Sequence, residues 1–93
     1  MSLNKILNQR TKDYGDFKEF SYLSQDLKQR VNLSLYNREP MNEYKREALS
    51  MILHKIARIV NGNENKIDSW QDIAGYATLV VEQLEKEQNE RIK

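Results

Sequence analysis

The chain contains no cysteine. Disulfides, thiolate nucleophiles and cysteine metal ligands are therefore excluded, and such a composition suits a reducing cytoplasm. There is a single histidine and no cysteine to join it, which disfavours a zinc site. No apolar run approaches the ~18 residues of a membrane span, and the N-terminus lacks an apolar signal segment. Charge of one sign is also missing. Fifteen basic and fourteen acidic residues leave a formal charge of +1. A protein that grips phosphate backbones usually shows a basic excess or stripe, so general nucleic-acid binding is disfavoured. No glycine-rich phosphate loop is present.

Proline occurs once and glycine three times. Little in the chain therefore interrupts helix, and Leu, Ile, Lys, Glu and Gln favour it. The expected fold class is all-α, a single compact four-helix domain over residues 1–93. A chain this short buries only a thin core, and helical chains of this size often add stability by oligomerising. A homo-oligomer is the expected assembly.

The first helix is expected from about Leu3 to Asp13, with Gly15 supplying a left-handed residue at its end. Asp16-Phe17-Lys18-Glu19 has the form of a capping box for the second. Phe17, Phe20, Leu23, Leu27 and Val31 then recur at helical spacing. Asn32 to Met41 reads as the connection, because it holds Asn37 and Pro40 and the residue before a proline avoids helix. The third helix is expected from about Asn42 to Asn61. Its apolar stripe is Leu49, Ile52, Leu53, Ile56, Ile59 and Val60, and Gly62 follows as its stop. The fourth is expected from about Ser69 to Asn89, with Asp68 as N-cap, Gln71 completing a capping box, and Ile73, Ala77, Val80, Val81 and Leu84 as core. Residues 85–93 have nothing continuous to bury and read as a solvated or frayed helix end. The short loop between helices three and four predicts a long antiparallel hairpin.

Polar residues on this hairpin fall into lines. Glu47, Met51, His54 and Arg58 step by four, three and four, with Lys55 beside them. Asp68, Asp72 and Tyr76 step by four and four, which places them on one face. Capping and dipole effects account for Asp68 and Asp72 at a helix start and for Lys55 and Arg58 near a helix end. An Arg58–Asp72 ion pair would then hold the two helices in register. The chemical alternative is a Mg²⁺ site on Asp68 and Asp72, with Glu47 as a further ligand or base. Lys55 and Arg58 would meet phosphate oxygens, Arg58 in bidentate fashion. His54 reads as a polar-face or interface residue. Trp70 and Tyr76 have rings able to stack on a base, although rings at helical spacing more often pack in a core. Tyr14, before a helical break, either points into a shared site or staples two helices. Gly75 costs a helix about 1 kcal/mol against alanine, which a helix crossing or a flat ligand would explain.

Three segments together carry a resemblance: Arg10-x-x-x-Tyr14-Gly15-Asp16-Phe17, Glu47-Ala48-Leu49-x-Met51-Ile52-x-His54-Lys55-Ile56-Ala57-Arg58-Ile59, and Asp68-Ser69-Trp70-x-Asp72-Ile73-Ala74-Gly75-Tyr76-Ala77. From about Leu3 to Leu84 the chain resembles a family of small phage and prophage proteins. It is also similar to the nucleotide-modification-associated domains of phages and, more distantly, to the all-α nucleoside-triphosphate pyrophosphatases of the MazG type. The resemblance implies an all-α fold, oligomerisation, a link to nucleotides and a place in the host cytoplasm. The pyrophosphatases carry Glu-Glu-x-x-Glu on one helix and Glu-x-x-Asp on the next. Here Ser50 and Met51 are not acidic, and Asp68 and Asp72 are four apart. That departure favours direct binding of phosphates by cations.

Three functional expectations follow. The first is binding of a nucleotide or other phosphate-bearing ligand through Tyr14, His54, Lys55, Arg58, Trp70 and Tyr76, without turnover. The second is a protein-interaction module whose charges fix helix packing. The third is a Mg²⁺-dependent pyrophosphatase that uses Glu47 and Asp72 for catalysis and Asp68 with Asp72 as metal ligands.

Overall fold

The computed structural model describes residues 2–92. Four helices follow one another: α1 (Leu3–Tyr14), α2 (Phe17–Tyr36), α3 (Glu43–Asn61) and α4 (Ile67–Ile92). Local chemistry sets most of their ends. The Ser2 hydroxyl accepts from Lys5 N at 3.3 Å, and the Asp16 carboxylate accepts from Glu19 N at 3.2 Å, so each satisfies an orphan amide of a first turn. Gly15 adopts φ +80° and donates its N–H to Thr11 O at 2.8 Å, which closes α1 as expected.

Two boundaries differ from expectation. α2 continues through Asn32 to Tyr36, so the connection shortens to residues 37–42. Val31 and Leu35 lie one turn apart and are both half-buried. They carry the apolar face of α2 past the expected stop, until Pro40 and its neighbours break it. α4 starts at Ile67 rather than Ser69, which places Asp68 inside the first turn and not at the cap. The turn ahead of it closes through Lys66 N to Asn63 O (3.2 Å) and Ser69 N to Lys66 O (3.3 Å). Residues 85–92 remain helical.

The helices form a layer with α3 in the middle. α3 packs against α4 along one flank and against α2 along the other, while α1 lies across the end of α2 and α3. No contact joins α2 to α4 among the described residues. The α3–α4 pair is the expected antiparallel hairpin. Tyr44, at the start of α3, donates its hydroxyl to Glu87 near the end of α4 at 3.0 Å, and Lys55 reaches Asp72 near the start of α4.

A second junction ties the α1–α2 turn to the α3–α4 loop. Asn61 Nδ2 donates to Tyr14 O (3.1 Å) and Asp16 O (3.2 Å), and Asn63 N donates to Asp13 O at 2.6 Å. Lys66 Nζ lies 3.4 Å from the Asp13 carboxylate, which holds the lysine pKa above its ordinary value. Gly62 is glycine for space rather than for handedness. Its φ is −134°, but a Cβ there would strike the backbone of Asp13 and Tyr14.

The core is thin. Among the described residues Phe20, Ala48, Ala57 and Ile59 are its buried apolar members, and no large side chain is fully buried. Several expected core residues are exposed instead. Leu49 and Val60 of α3, and Ala77 and Val81 of α4, face outward. The reason is topological: α2 and α4 occupy opposite flanks of α3, and none of the described elements covers the face between them. Gly75 is also exposed, and a Cβ there would meet nothing within 4 Å. It marks neither a helix crossing nor a slot within the monomer.

Candidate functional site

Arg58 sits in the last turn of α3. It does not pair with Asp72; Lys55 does, at 2.8 Å. Helical geometry explains the exchange. Lys55 lies on the α4 flank of α3, with its side chain only 13% exposed, whereas Arg58 is one turn on and turned toward α1 and α2. Its guanidinium carbon lies 4.4 Å from the Tyr14 ring centroid and 5.9 Å from that of Phe20. These are cation–π distances in a partly desolvated place. The Nε atom is buried and has no hydrogen-bond partner among the described residues. Arg58 forms no ion pair among them either.

A cleft of about 330 Å³ opens beside this group, lined by Leu7, Arg10, Thr11, Tyr14, Gly15, Phe17, Phe20 and Arg58. It brings two guanidiniums and three aromatic rings together and has no carboxylate in its wall. Phe17 is 78% exposed, so its ring is free to meet a ligand. The junction at Asn61 fixes the backbone on both sides of Gly15 and thereby sets where Tyr14 stands.

His54 lies on α3 one turn before Arg58. Its ring meets Phe20 edge to face, with centroids 5.0 Å apart. Burial pushes its pKa down to about 4, and the charges of Arg58, Lys28 and Lys55 push the same way. The imidazole is therefore neutral at pH 7. Three cations converge on this ring from α2 and α3, and Asp72 pairs with only one of them.

The remaining candidates lie elsewhere. Tyr76 and Glu47 share an open groove of about 480 Å³ between α3 and α4, with Tyr44, Ala48, Leu79, Val80 and Gln83. Tyr44 is held protonated more firmly than usual, first by burial and then by the hydrogen bond and charge of Glu87. Trp70 donates its indole N–H to Glu64 O at 2.8 Å, and so staples the α3–α4 loop to the start of α4. Asp68 and Asp72 stand one turn apart on α4, and the Lys55 ammonium occupies Asp72. No group of three or more His, Cys, Asp or Glu side chains suited to a metal occurs among the described residues.

The structure thus unites Tyr14 and Arg58 in one cleft, with His54 against Phe20 in its wall. It puts Lys55 with Asp72, Glu47 with Tyr76, and Trp70 with the loop. Sequence reasoning missed Arg10, Phe17 and Phe20 as parts of the same cleft. Arg10 and Phe17 stood inside the first motif and carried that signal; Phe20 appeared only as a core residue.

The chain belongs to the family described as a domain of unknown function (DUF6378), whose model matches residues 2–84. No curated protein and no solved structure matches it. No described helix is long and apolar enough to cross a membrane.

Proposed function

We propose that this protein binds a nucleotide or a closely similar phosphate-bearing ligand in the cleft between α1, α2 and the end of α3, without turning it over. The observation that carries the proposal is Arg58, a guanidinium held beside the Tyr14 and Phe20 rings in the wall of the cleft, with no ion pair among the described residues. A guanidinium that forms no ion pair among the described residues is available to pair with an anion in the cleft it lines. Arg10 adds a second fork from α1. Guanidiniums pair with phosphate oxygens two bonds at a time. Phe17, with its exposed ring, offers a base a stacking surface. The cleft volume of about 330 Å³ is at the lower end of small-molecule sites, which run ~300–1,000 Å³.

Lys55 and Lys28 strengthen the field at the same end of the helices, and the neutral His54 avoids adding a fourth positive charge. A wall without carboxylates suits direct contact between cations and phosphate better than contact through Mg²⁺. Calorimetric titration with nucleoside mono-, di- and triphosphates tests the reading. We expect saturable heat for the native chain and at least a tenfold loss of affinity in Arg58→Met, which keeps the side-chain volume. Absence of heat at millimolar nucleotide would refute it.

A further inference from the structure

We propose that the α3–α4 hairpin docks its outer apolar face on the same face of a second copy, with the two α4 helices antiparallel about a two-fold axis between Gly75 and Tyr76. The chain exposes 7597 Å². A compact monomer of its mass exposes about 5,700 Å². The excess of roughly 1,900 Å² is more than twice the ~800 Å² per partner of a standard interface and lies in the obligate-dimer range. Compactness says the same. The radius of gyration is 16.4 Å, against about 12 Å for a globular domain of this length.

Exposed apolar residues also occur on α1 and α2, Leu3, Tyr22 and Tyr36 among them, but only on the hairpin do they line up in a regular order. Ile67, Trp70, Ala74, Ala77, Val81 and Leu84 step by three and four along α4, which is the seam of a helix pair. Trp70 is 55% exposed and Val81 50%. Beside this seam lie Leu49, Ile52, Ile56 and Val60 of α3, none of them buried and Val60 exposed by 69%. Lys55, Asp72 and the groove holding Glu47 and Tyr76 lie on the other side of the hairpin. The apolar side is therefore continuous across both helices.

The order of sizes along the α4 seam identifies the occupant. Read from either end it runs large, large, small, small, large, large. Trp70 stands four residues before Ala74, and Val81 stands four after Ala77. Ile67 and Leu84 stand seven residues out on each side. A two-fold axis at the centre sets alanine against alanine, Trp70 against the partner's Val81, and Ile67 against the partner's Leu84. A self-complementary patch of this kind is what an isologous dimer requires. An unrelated partner would need no such mirror order. Small residues at the centre let the two backbones approach, and two hairpins face to face make a four-helix bundle.

Sedimentation velocity at micromolar concentration is the first test, with an expected mass of twice the 11.1 kDa chain. Val81→Glu should halve that mass and keep the helical circular dichroism. Because the chain has no cysteine, Ala77→Cys gives a single clean handle. Treatment with a short bismaleimide should convert most of it to covalent dimer, whereas Leu79→Cys, on the other side of α4, should remain uncross-linked under the same treatment. This pair decides the question even if Val81→Glu fails to fold. A monomeric native chain overturns the proposal, and so does a dimer that cross-links through Leu79→Cys as readily as through Ala77→Cys.

Discussion

Acidification should unfold this protein partly through one residue. His54 has its pKa pushed down from 6.5 to about 4, first by burial and then by Arg58, Lys28 and Lys55. In the unfolded chain the imidazole returns to about 6.5. Between these values the unfolded state binds the proton and the folded state does not. The contribution of His54 is therefore complete above pH 6.5 and is lost as the pH drops toward 4, because the unfolded state binds the extra proton throughout that window. A displacement of this size is worth ~3 kcal/mol at full burial. The ring is only partly shielded, and solvent screening reduces the figure to about 1–2 kcal/mol. Urea unfolding at pH 7.0 and pH 4.5 should show that loss. The chain has one histidine, so its Cε1–H resonance reports the folded midpoint directly. Arg58→Met should raise that midpoint by removing the cation that acts most strongly on His54, and in the native chain a bound phosphate should raise it too. A midpoint near 6.5 in the native chain would refute the reasoning.

Other substitutions separate the chemistry from the scaffold. Asn61→Ala removes two hydrogen bonds to the backbone of Tyr14 and Asp16; it should cost about 1–3 kcal/mol, read as a lowered melting temperature, and weaken nucleotide binding by displacing Tyr14. Gly75→Ala should stabilise by up to about 1 kcal/mol, because the added methyl meets nothing within 4 Å; a lower melting temperature would contradict that. Asp72→Asn leaves the mostly buried Lys55 ammonium without its partner; it should cost between the ~1 kcal/mol of an exposed pair and the ~3 kcal/mol of a buried one, and abolish no nucleotide heat.

The periodicities foretold the helix count and the α3–α4 hairpin, because long amphipathic segments with few breakers leave little choice. The ends were harder. Asn32 to Tyr36 looks polar and loop-like, yet Val31 and Leu35 are one turn apart and both half-buried on the side of α2 that faces α3, so tertiary contact overrode local signal. Ser69 followed a convincing cap in Asp68, yet the loop turn at Asn63–Lys66 starts the helix earlier. Pairing across the hairpin was half legible. The sequence placed a cation opposite Asp72, but the choice of Lys55 over Arg58 depended on the flank each occupies. Core membership was the least legible. A stripe such as Leu49, Ile56, Val60 reads the same whether its cover comes from this chain or from another. In the cleft, Tyr14 and Arg58 are 44 residues apart in sequence and meet because Asn61 and Gly62 dock against the α1–α2 turn, a contact with no sequence pattern of its own.

The most direct test of the account is the ³¹P spectrum of mixed nucleoside triphosphates with this protein and Mg²⁺, recorded over hours for the native chain and for Arg58→Met. The native protein should shift or broaden the nucleotide lines without giving product lines, and the variant should leave free-ligand spectra. Unshifted lines, or shifts that survive the loss of Arg58, would contradict the cleft as the binding site. New monophosphate or pyrophosphate lines would contradict binding without turnover.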